Sequence, residues 1–158
     1  MALTDTYTTC SQGHRHWGTA GAAGILIYRA DASGKPEVLL QLRGPNVHKP
    51  NTWSIPGGAL DFRETATEAA LRELEEELGI APEDLEIGQS LVDDHGGWSY
   101  TTILATPTRD LDVASLTVNH ESLEVRFVAL GDLEQLNLHP GFAASLPALR
   151  QMLPSTLT

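Results

Sequence analysis

The sequence contains a single cysteine, Cys10, among its 158 residues, which excludes a disulfide bond within the chain. Basic residues are also scarce, since 10 lysines and arginines stand against 21 aspartates and glutamates and leave a net charge of −11. Such a charge disfavours sequence-independent binding of nucleic-acid polymers and of anionic membrane surfaces. No segment approaches the roughly 20 apolar residues that span a bilayer. We therefore expect a cytoplasmic protein without a membrane or a nucleic-acid polymer as partner.

The composition is nevertheless that of one folded domain covering residues 1–158, because 41% of the residues are hydrophobic and can form a core. Residues 1–18 are expected to form an N-terminal extension. Apolar runs predict strands at residues 18–29, 37–43, 53–55, 85–92, 99–106 and 123–130. A final helix is predicted at about residues 141–153. This mixed order predicts an α/β domain with helices packed on the faces of a sheet.

Two helix signals bound the most acidic part of the chain. Thr65, followed three residues later by Glu68, fits a capping box at a helix start, and Gly79 suits a left-handed C-cap. Apolar residues recur between these points at helical spacing and predict one buried stripe, formed by Ala66, Ala69, Ala70, Leu74 and Leu78.

The same helix carries a cluster of carboxylates. Glu76 and Glu77 follow Glu73 by three and four residues, so the three side chains share one face of the helix. They lie near the helix C-terminus, where the helix dipole disfavours anions. Arg72 can neutralise only part of this charge. Oxygen ligands of this kind suit hard divalent ions such as Mg²⁺ or Mn²⁺. The alternative is a solvated acidic face without a ligand.

The spacing around these glutamates is similar to the signature of the Nudix hydrolases, enzymes of MutT type. Its defined positions extend from Gly58 to Ile80 and are filled by Gly58, Glu64, Arg72, Glu73, Leu74, Glu76, Glu77, Gly79 and Ile80. The segment WSIPGG before this motif and EVRFVAL after it also occupy the places usual in that family. The resemblance implies the Nudix fold, an α/β/α sandwich around a mixed β-sheet. It also implies hydrolysis of a nucleoside diphosphate linked to another moiety, with Mg²⁺ or, in its place, Mn²⁺.

The resemblance further implies roles for individual residues. The metal-binding set that it implies is Glu73, Glu76, Glu77 and Gly58. Glu76 is the first choice for a base that also contacts the metal, and Glu73 shares the catalytic work. Arg72 is expected to orient Glu64 or Glu76 rather than to bind phosphate.

Other candidate residues lie outside the motif. Glu121 lies where some family members place a further catalytic or metal-binding glutamate; Glu124 and a solvated loop acid are the alternatives. The expected substrate-binding residues are Arg43 for phosphate, Gly57 and Gly58 for close backbone approach, and Trp98 and Tyr100 for base stacking. A surface arginine and a hairpin with incidental aromatics are the alternatives for Arg43 and for the aromatic pair.

The expected reaction is conversion of a nucleoside or deoxynucleoside triphosphate to the monophosphate and pyrophosphate. An ADP-ribose or nucleotide-sugar pyrophosphatase is one alternative, and a Nudix-fold binding module without catalysis is another. The oligomeric state is left open. Cys10, His14 and His16 in CSQGHRHWG also raise the alternative of a zinc site, but three ligands without a clear fourth make the set incomplete.

Overall fold

The structure is a computed structural model and describes residues 7–11, 13, 15–17, 20–47, 49–118 and 122–154. Its strands are β1 (Tyr7–Thr9), β2 (Arg15–Trp17), β3 (Ala22–Ala30), β4 (Pro36–Arg43), β5 (Trp53–Ser54), β6 (Gly57–Ala59), β7 (Leu85–Asp94), β8 (Ser99–Pro107) and β9 (Ser122–Ala129). The α-helices are α1 (Ala66–Leu78) and α2 (Pro140–Met152). Short 3₁₀ turns cover Pro82–Asp84, Val113–Ser115 and Leu130–Gln135.

The sheets formed by the described residues are a small β1–β2 hairpin and a mixed sheet of seven strands. Strand β3 lies at the centre of the larger sheet. Its first part pairs in parallel with β8 and antiparallel with β6, and its last part pairs antiparallel with β4. Strand β4 in turn pairs with β5 and β9, while β7 forms an antiparallel hairpin with β8.

One helix covers each face of this sheet. Successive side chains of a strand point to opposite faces, so Ile25 and Ile27 of β3 join the apolar cluster under α1, while Leu26 joins the cluster under α2. Leu74 and Leu78 complete the first cluster from α1. The expected α/β/α sandwich around a mixed sheet is therefore confirmed.

Helix α1 begins and ends where its sequence predicts. The Thr65 hydroxyl accepts a hydrogen bond from the backbone N–H of Glu68 at 3.1 Å, and the Glu68 carboxylate accepts one from the N–H of Thr65 at 2.9 Å. At the other end Gly79 has φ of 71°, a left-handed conformation that glycine adopts without a steric penalty.

One feature differs from the prediction, and two others add detail to it. The glycine-rich segment 57–59 forms β6 rather than loop, because it pairs with β3 at a point where glycines permit close contact; a Cβ on Gly57 would lie 2.6 Å from the Cα of Gly24. The predicted N-terminal extension contains the β1–β2 hairpin. Helix α2 begins at Pro140, next to its N-cap His139, and continues through Pro147. No helix among the described residues has the length and apolar character needed to cross a membrane.

Candidate active site

The acidic face of α1 packs against the backbone of β6. The N–H of Gly57 donates to Oε2 of Glu77 at 3.1 Å. A Cβ on Gly58 would lie 2.6 Å from Cδ of Glu73, so only glycine leaves room for that carboxylate. The two glycines, which pair with Gly24 and Ala23 of β3, thus allow the helix to approach β6 closely.

The three glutamates differ in exposure although they share one helix. Glu77 is buried, with 4% of its surface accessible. The side chain of Glu73 is 18% exposed, and that of Glu76 is 58% exposed. The helix therefore presents a graded set of carboxylates, from the core edge to the solvent.

Arg72 links this set to the turn before the helix. Its Nε and Nη2 donate to the two carboxylate oxygens of Glu64 at 2.8 and 2.9 Å, and its Nη1 donates to Oε1 of Glu73 at 2.8 Å. Nη2 also donates to the carbonyl of Ala59 at 3.1 Å, and Nη1 lies 3.5 Å from Oε2 of Glu76. Arg72 thus holds Glu64 and Glu73 in place at the same time.

The turn itself contributes a contact that sequence reasoning missed. The N–H of Asp61 donates to Oε1 of Glu64 at 2.9 Å, and the Asp61 carboxylate lies 3.9 Å from Nη2 of Arg72. Its only signal in the sequence is an acidic residue three positions before Glu64. The turn and Arg72 therefore orient Glu64 together, since both donate to its Oε1.

These contacts shift the ionisation of the network. The hydrogen bonds from Arg72 hold the pKa of Glu64 below its usual range, and the hydrogen bonds to Glu64 and then Glu73 raise the pKa of Arg72. Glu64 and Arg72 are therefore both charged at neutral pH.

Tyr100 and Arg43 share the neighbourhood of the buried glutamate. Burial of its phenol raises the pKa of Tyr100, the charge of Glu77 raises it further, and the charge of Arg43 opposes this rise. The Tyr100 hydroxyl also faces β6, since a Cβ on Gly57 would lie 2.9 Å from it. Two residues of the sequence prediction thus meet here: the charge of Glu77 acts on Tyr100, and the charge of Arg43 acts on Tyr100 with the opposite sign.

Two further candidates lie in other surroundings. The Trp98 ring stacks on the imidazole of His16, with centroids 3.9 Å apart and an interplanar angle of 8°, so one face of the indole contacts the protein's own N-terminal hairpin. Glu124 lies on β9, where its carboxylate is 3.4 Å from Nε of Arg126. Glu121 lies outside the described residues.

The donor chemistry of α1 fits a hard divalent cation, because Glu73, Glu76 and Glu77 offer carboxylate oxygens alone. Glu73 and Glu77 are positioned by Arg72 and by the Gly57 N–H, and their ligand atoms are not gathered into one tight group with Glu76. Among the described residues, the group of three ligand atoms within 4.8 Å of one another is formed instead by Cys10, His16 and His95.

The chain is similar in sequence and in structure to known proteins. A family model described as NUDIX domain matches residues 18–149. A protein of Mycobacterium tuberculosis with the provisional name 8-oxo-dGTP diphosphatase 3 is 41% identical over 152 residues, which cover 92% of this chain and 69% of the relative.

Two solved structures are similar as well. A Nudix hydrolase from M. smegmatis, RenU, has a TM-score of 0.85 and 38% identity, with 94% of each chain covered. A C. elegans Ap4A hydrolase has a TM-score of 0.67 and 27% identity, over 83% of this chain and 96% of the other. The similarity extends well beyond the motif at residues 58–80 to the order of strands and helices.

Proposed function

The chain belongs to the Nudix hydrolase family, and from this membership we propose that it is a Mg²⁺-dependent pyrophosphohydrolase that converts a nucleoside or deoxynucleoside triphosphate to the monophosphate and pyrophosphate. The observation that carries the proposal is the row of carboxylates Glu73, Glu76 and Glu77, packed through Gly57 and Gly58 against the sheet. The family works with divalent ions, and this row offers them hard oxygen ligands.

The residues around the row have complementary tasks. A phosphoanhydride is protected from attack by its own negative charge, so catalysis needs neutralisation and positioning. Glu73, Glu76 and Glu77 would hold a divalent ion, which would supply that neutralisation and lower the pKa of a bound water. Glu76, the most exposed of the three, is the proposed base, and Arg72 orients Glu73. Arg43, Gly57, Gly58 and Tyr100 are the proposed substrate contacts.

The substrate class rests on the relatives. The M. tuberculosis relative is named for 8-oxo-dGTP, and it is similar over 92% of this chain, so an oxidised guanine triphosphate is the first substrate to test. A diadenosine tetraphosphate is the second candidate, because a structure of an Ap4A hydrolase is 27% identical and shares the fold. Both substrates are small polyphosphates that contain a phosphoanhydride, the bond at which the carboxylate row would hold a divalent ion.

We also propose that residues 1–158 act as one Nudix domain, with residues 1–18 as an N-terminal extension. The family match over residues 18–149 and the two apolar clusters on opposite faces of one sheet support this organisation.

A panel of nucleotides tests the substrate. Purified protein with Mg²⁺ would be incubated with dGTP, 8-oxo-dGTP, ATP, diadenosine tetraphosphate and ADP-ribose, and products would be separated by ion-exchange chromatography. We expect the highest kcat/KM for a triphosphate, with pyrophosphate and the monophosphate as products. A higher kcat/KM for ADP-ribose or diadenosine tetraphosphate, or release of orthophosphate with a nucleoside diphosphate, would contradict the proposal.

A further inference from the structure

A second group of potential metal ligands is formed by residues outside α1, where the N-terminal hairpin meets the β7–β8 hairpin. The sulfur of Cys10 and one ring nitrogen each of His16 and His95 lie within 4.8 Å of one another. We propose that these three side chains bind one borderline-soft divalent transition ion, Zn²⁺, at a site separate from the carboxylates of α1. The proposal stands independently of the substrate.

The donor set has the chemistry of a zinc site. A thiolate and two imidazoles are ligands that favour Zn²⁺ over Mg²⁺, whereas the carboxylates of α1 favour the opposite. Cys10 is buried, with 6% of its surface accessible, and Nε2 of His16 and Nδ1 of His95 are buried as well. A cation beside a buried cysteine stabilises its thiolate form.

Asp93 prepares His95 for this role. Nε2 of His95 lies 2.9 Å from Oδ2 of Asp93, so in the neutral imidazole the proton is held on Nε2 and the lone pair is on Nδ1. A metal-binding histidine typically donates its second ring N–H to a carboxylate in this way, which fixes the ring and strengthens the ligand.

The surrounding contacts hold the ligands together from both hairpins. His16 stacks on Trp98 with centroids 3.9 Å apart, and its ring meets that of His95 at 4.7 Å. The N–H of Ser11 donates to the carbonyl of Gly96 at 2.8 Å, which joins the two turns through their backbones. A zinc ion would therefore fasten the N-terminal hairpin to the β7–β8 hairpin.

The three ligand atoms need to move only slightly closer together to bind a zinc ion. Zinc–sulfur and zinc–nitrogen bonds of about 2.3 and 2.0 Å bring neighbouring ligand atoms of a tetrahedron to about 3.5 Å. Three protein ligands leave a fourth position for water, as in open zinc sites.

Cobalt(II) is a direct probe of this site because Cys10 is the only cysteine in the chain. Metal-stripped protein would be titrated with Co²⁺ in the presence of excess Mg²⁺, which occupies oxygen ligands. We expect one Co²⁺ per chain, with the visible bands of tetrahedral cobalt and a near-ultraviolet sulfur-to-cobalt charge-transfer band. Added Zn²⁺ should bleach both.

Variants then separate ligands from neighbours. Cys10→Ser should remove the charge-transfer band, and His95→Ala should remove the tetrahedral spectrum. Asp93→Asn removes no ligand, and we expect it to weaken Co²⁺ binding about 10–100-fold while the bands keep their shape. Asp94→Asn is the matched control: its side-chain oxygen still accepts from the Gly96 N–H, a contact of 2.8 Å in the native chain, and affinity should stay unchanged.

Three outcomes would overturn the proposal. The first is a wild-type protein without the charge-transfer band, a result that depends on no variant's folding. The second is a tetrahedral spectrum that persists in His95→Ala; an affinity that Asp93→Asn leaves unchanged would instead show that Asp93 does not strengthen the ligand. The third is one Co²⁺ per two chains, which would show that sulfurs of separate molecules share the ion.

Discussion

Glu76 and Glu77 are neighbours on α1 with the same charge, but the structure gives them different surroundings. Glu76 is exposed, whereas Glu77 is buried and accepts from the Gly57 N–H. We expect Glu76→Gln to lower kcat about 10²–10⁴-fold, the usual effect of losing a general base, without loss of unfolding free energy. Relief of repulsion near the helix C-terminus would favour the folded state slightly. Steady-state kinetics under saturating Mg²⁺ and urea unfolding measure the two effects.

Glu75→Gln is the control, because Glu75 is exposed on the same helix and lies outside the motif positions. It makes the same change of charge and should leave kcat near the native value. Equal losses in the two variants would point to the charge of the helix rather than to the Glu76 carboxylate. Near-native turnover in Glu76→Gln would remove this residue from the proposed catalytic set.

Glu64 offers a test through pH. Its pKa is held below the ordinary 4.5 by Arg72, so its contribution to stability is fully present above the unfolded pKa and is lost as the pH falls through the folded pKa. We expect Glu64→Gln to reduce the unfolding free energy at neutral pH, and this difference from wild type to shrink on acidification below 4.5. Urea unfolding across that range measures it.

Removal of the partner provides the control for this pH dependence. In an Arg72→Gln background the Glu64→Gln change should show a smaller dependence on pH, because only the Asp61 N–H still lowers the Glu64 pKa. An undiminished dependence in that background would show that Arg72 does not set the ionisation of Glu64.

At the scale of elements, α1 depends on its N-terminal cap. Thr65→Ala removes the side-chain acceptor of the Glu68 N–H, and we expect it to lower the unfolding free energy by about 1 kcal/mol. Thr65→Ser keeps a hydroxyl at the same position and should restore most of this loss. Urea unfolding of the three proteins checks the order; equal stability of Thr65→Ala and wild type would mean that packing alone fixes the helix start.

Local signals explain why some elements could be predicted and others could not. The capping residues, the left-handed Gly79 and the apolar stripe all lie within α1, so the sequence alone indicated its bounds. Strand β6 had no such signal, because the glycines that suggested a loop are there for contact with β3. The burial of Glu77 could not be predicted from its helix either, because it depends on the contact with Gly57 of β6.

At the scale of the whole molecule, long-range contacts decide which residues meet. The sequence grouped Cys10 with His14 and His16 because they are close in the chain. In the structure His95, from a distant hairpin, joins Cys10 and His16, while His14 lies outside the described residues. Tyr100 and Glu77 likewise come together only through the pairing of β3 with β6 and β8.

Because the chain has a net charge of −11, added cations can change its stability both by screening the whole molecule and by binding at one site. Any salt screens this charge, but an ion that binds only the folded state adds RT ln(1 + [L]/Kd), about 2.7 kcal/mol at a hundredfold excess over Kd. For a domain of this size we expect Mg²⁺ to raise the melting temperature by roughly 5–10 °C relative to EDTA. Calorimetry in Mg²⁺ is compared with calorimetry in NaCl of matched ionic strength.

Two variants assign that increase to a site. A chain with both Glu76→Gln and Glu77→Gln should lose most of the rise in Mg²⁺ and keep the smaller rise in NaCl, because it loses two carboxylate ligands from α1 but little of the overall charge. Cys10→Ser should keep the full rise, since a thiolate and imidazoles do not favour a hard ion. Identical melting temperatures in Mg²⁺ and NaCl for the wild-type chain would mean that the carboxylates of α1 act as a solvated acidic face.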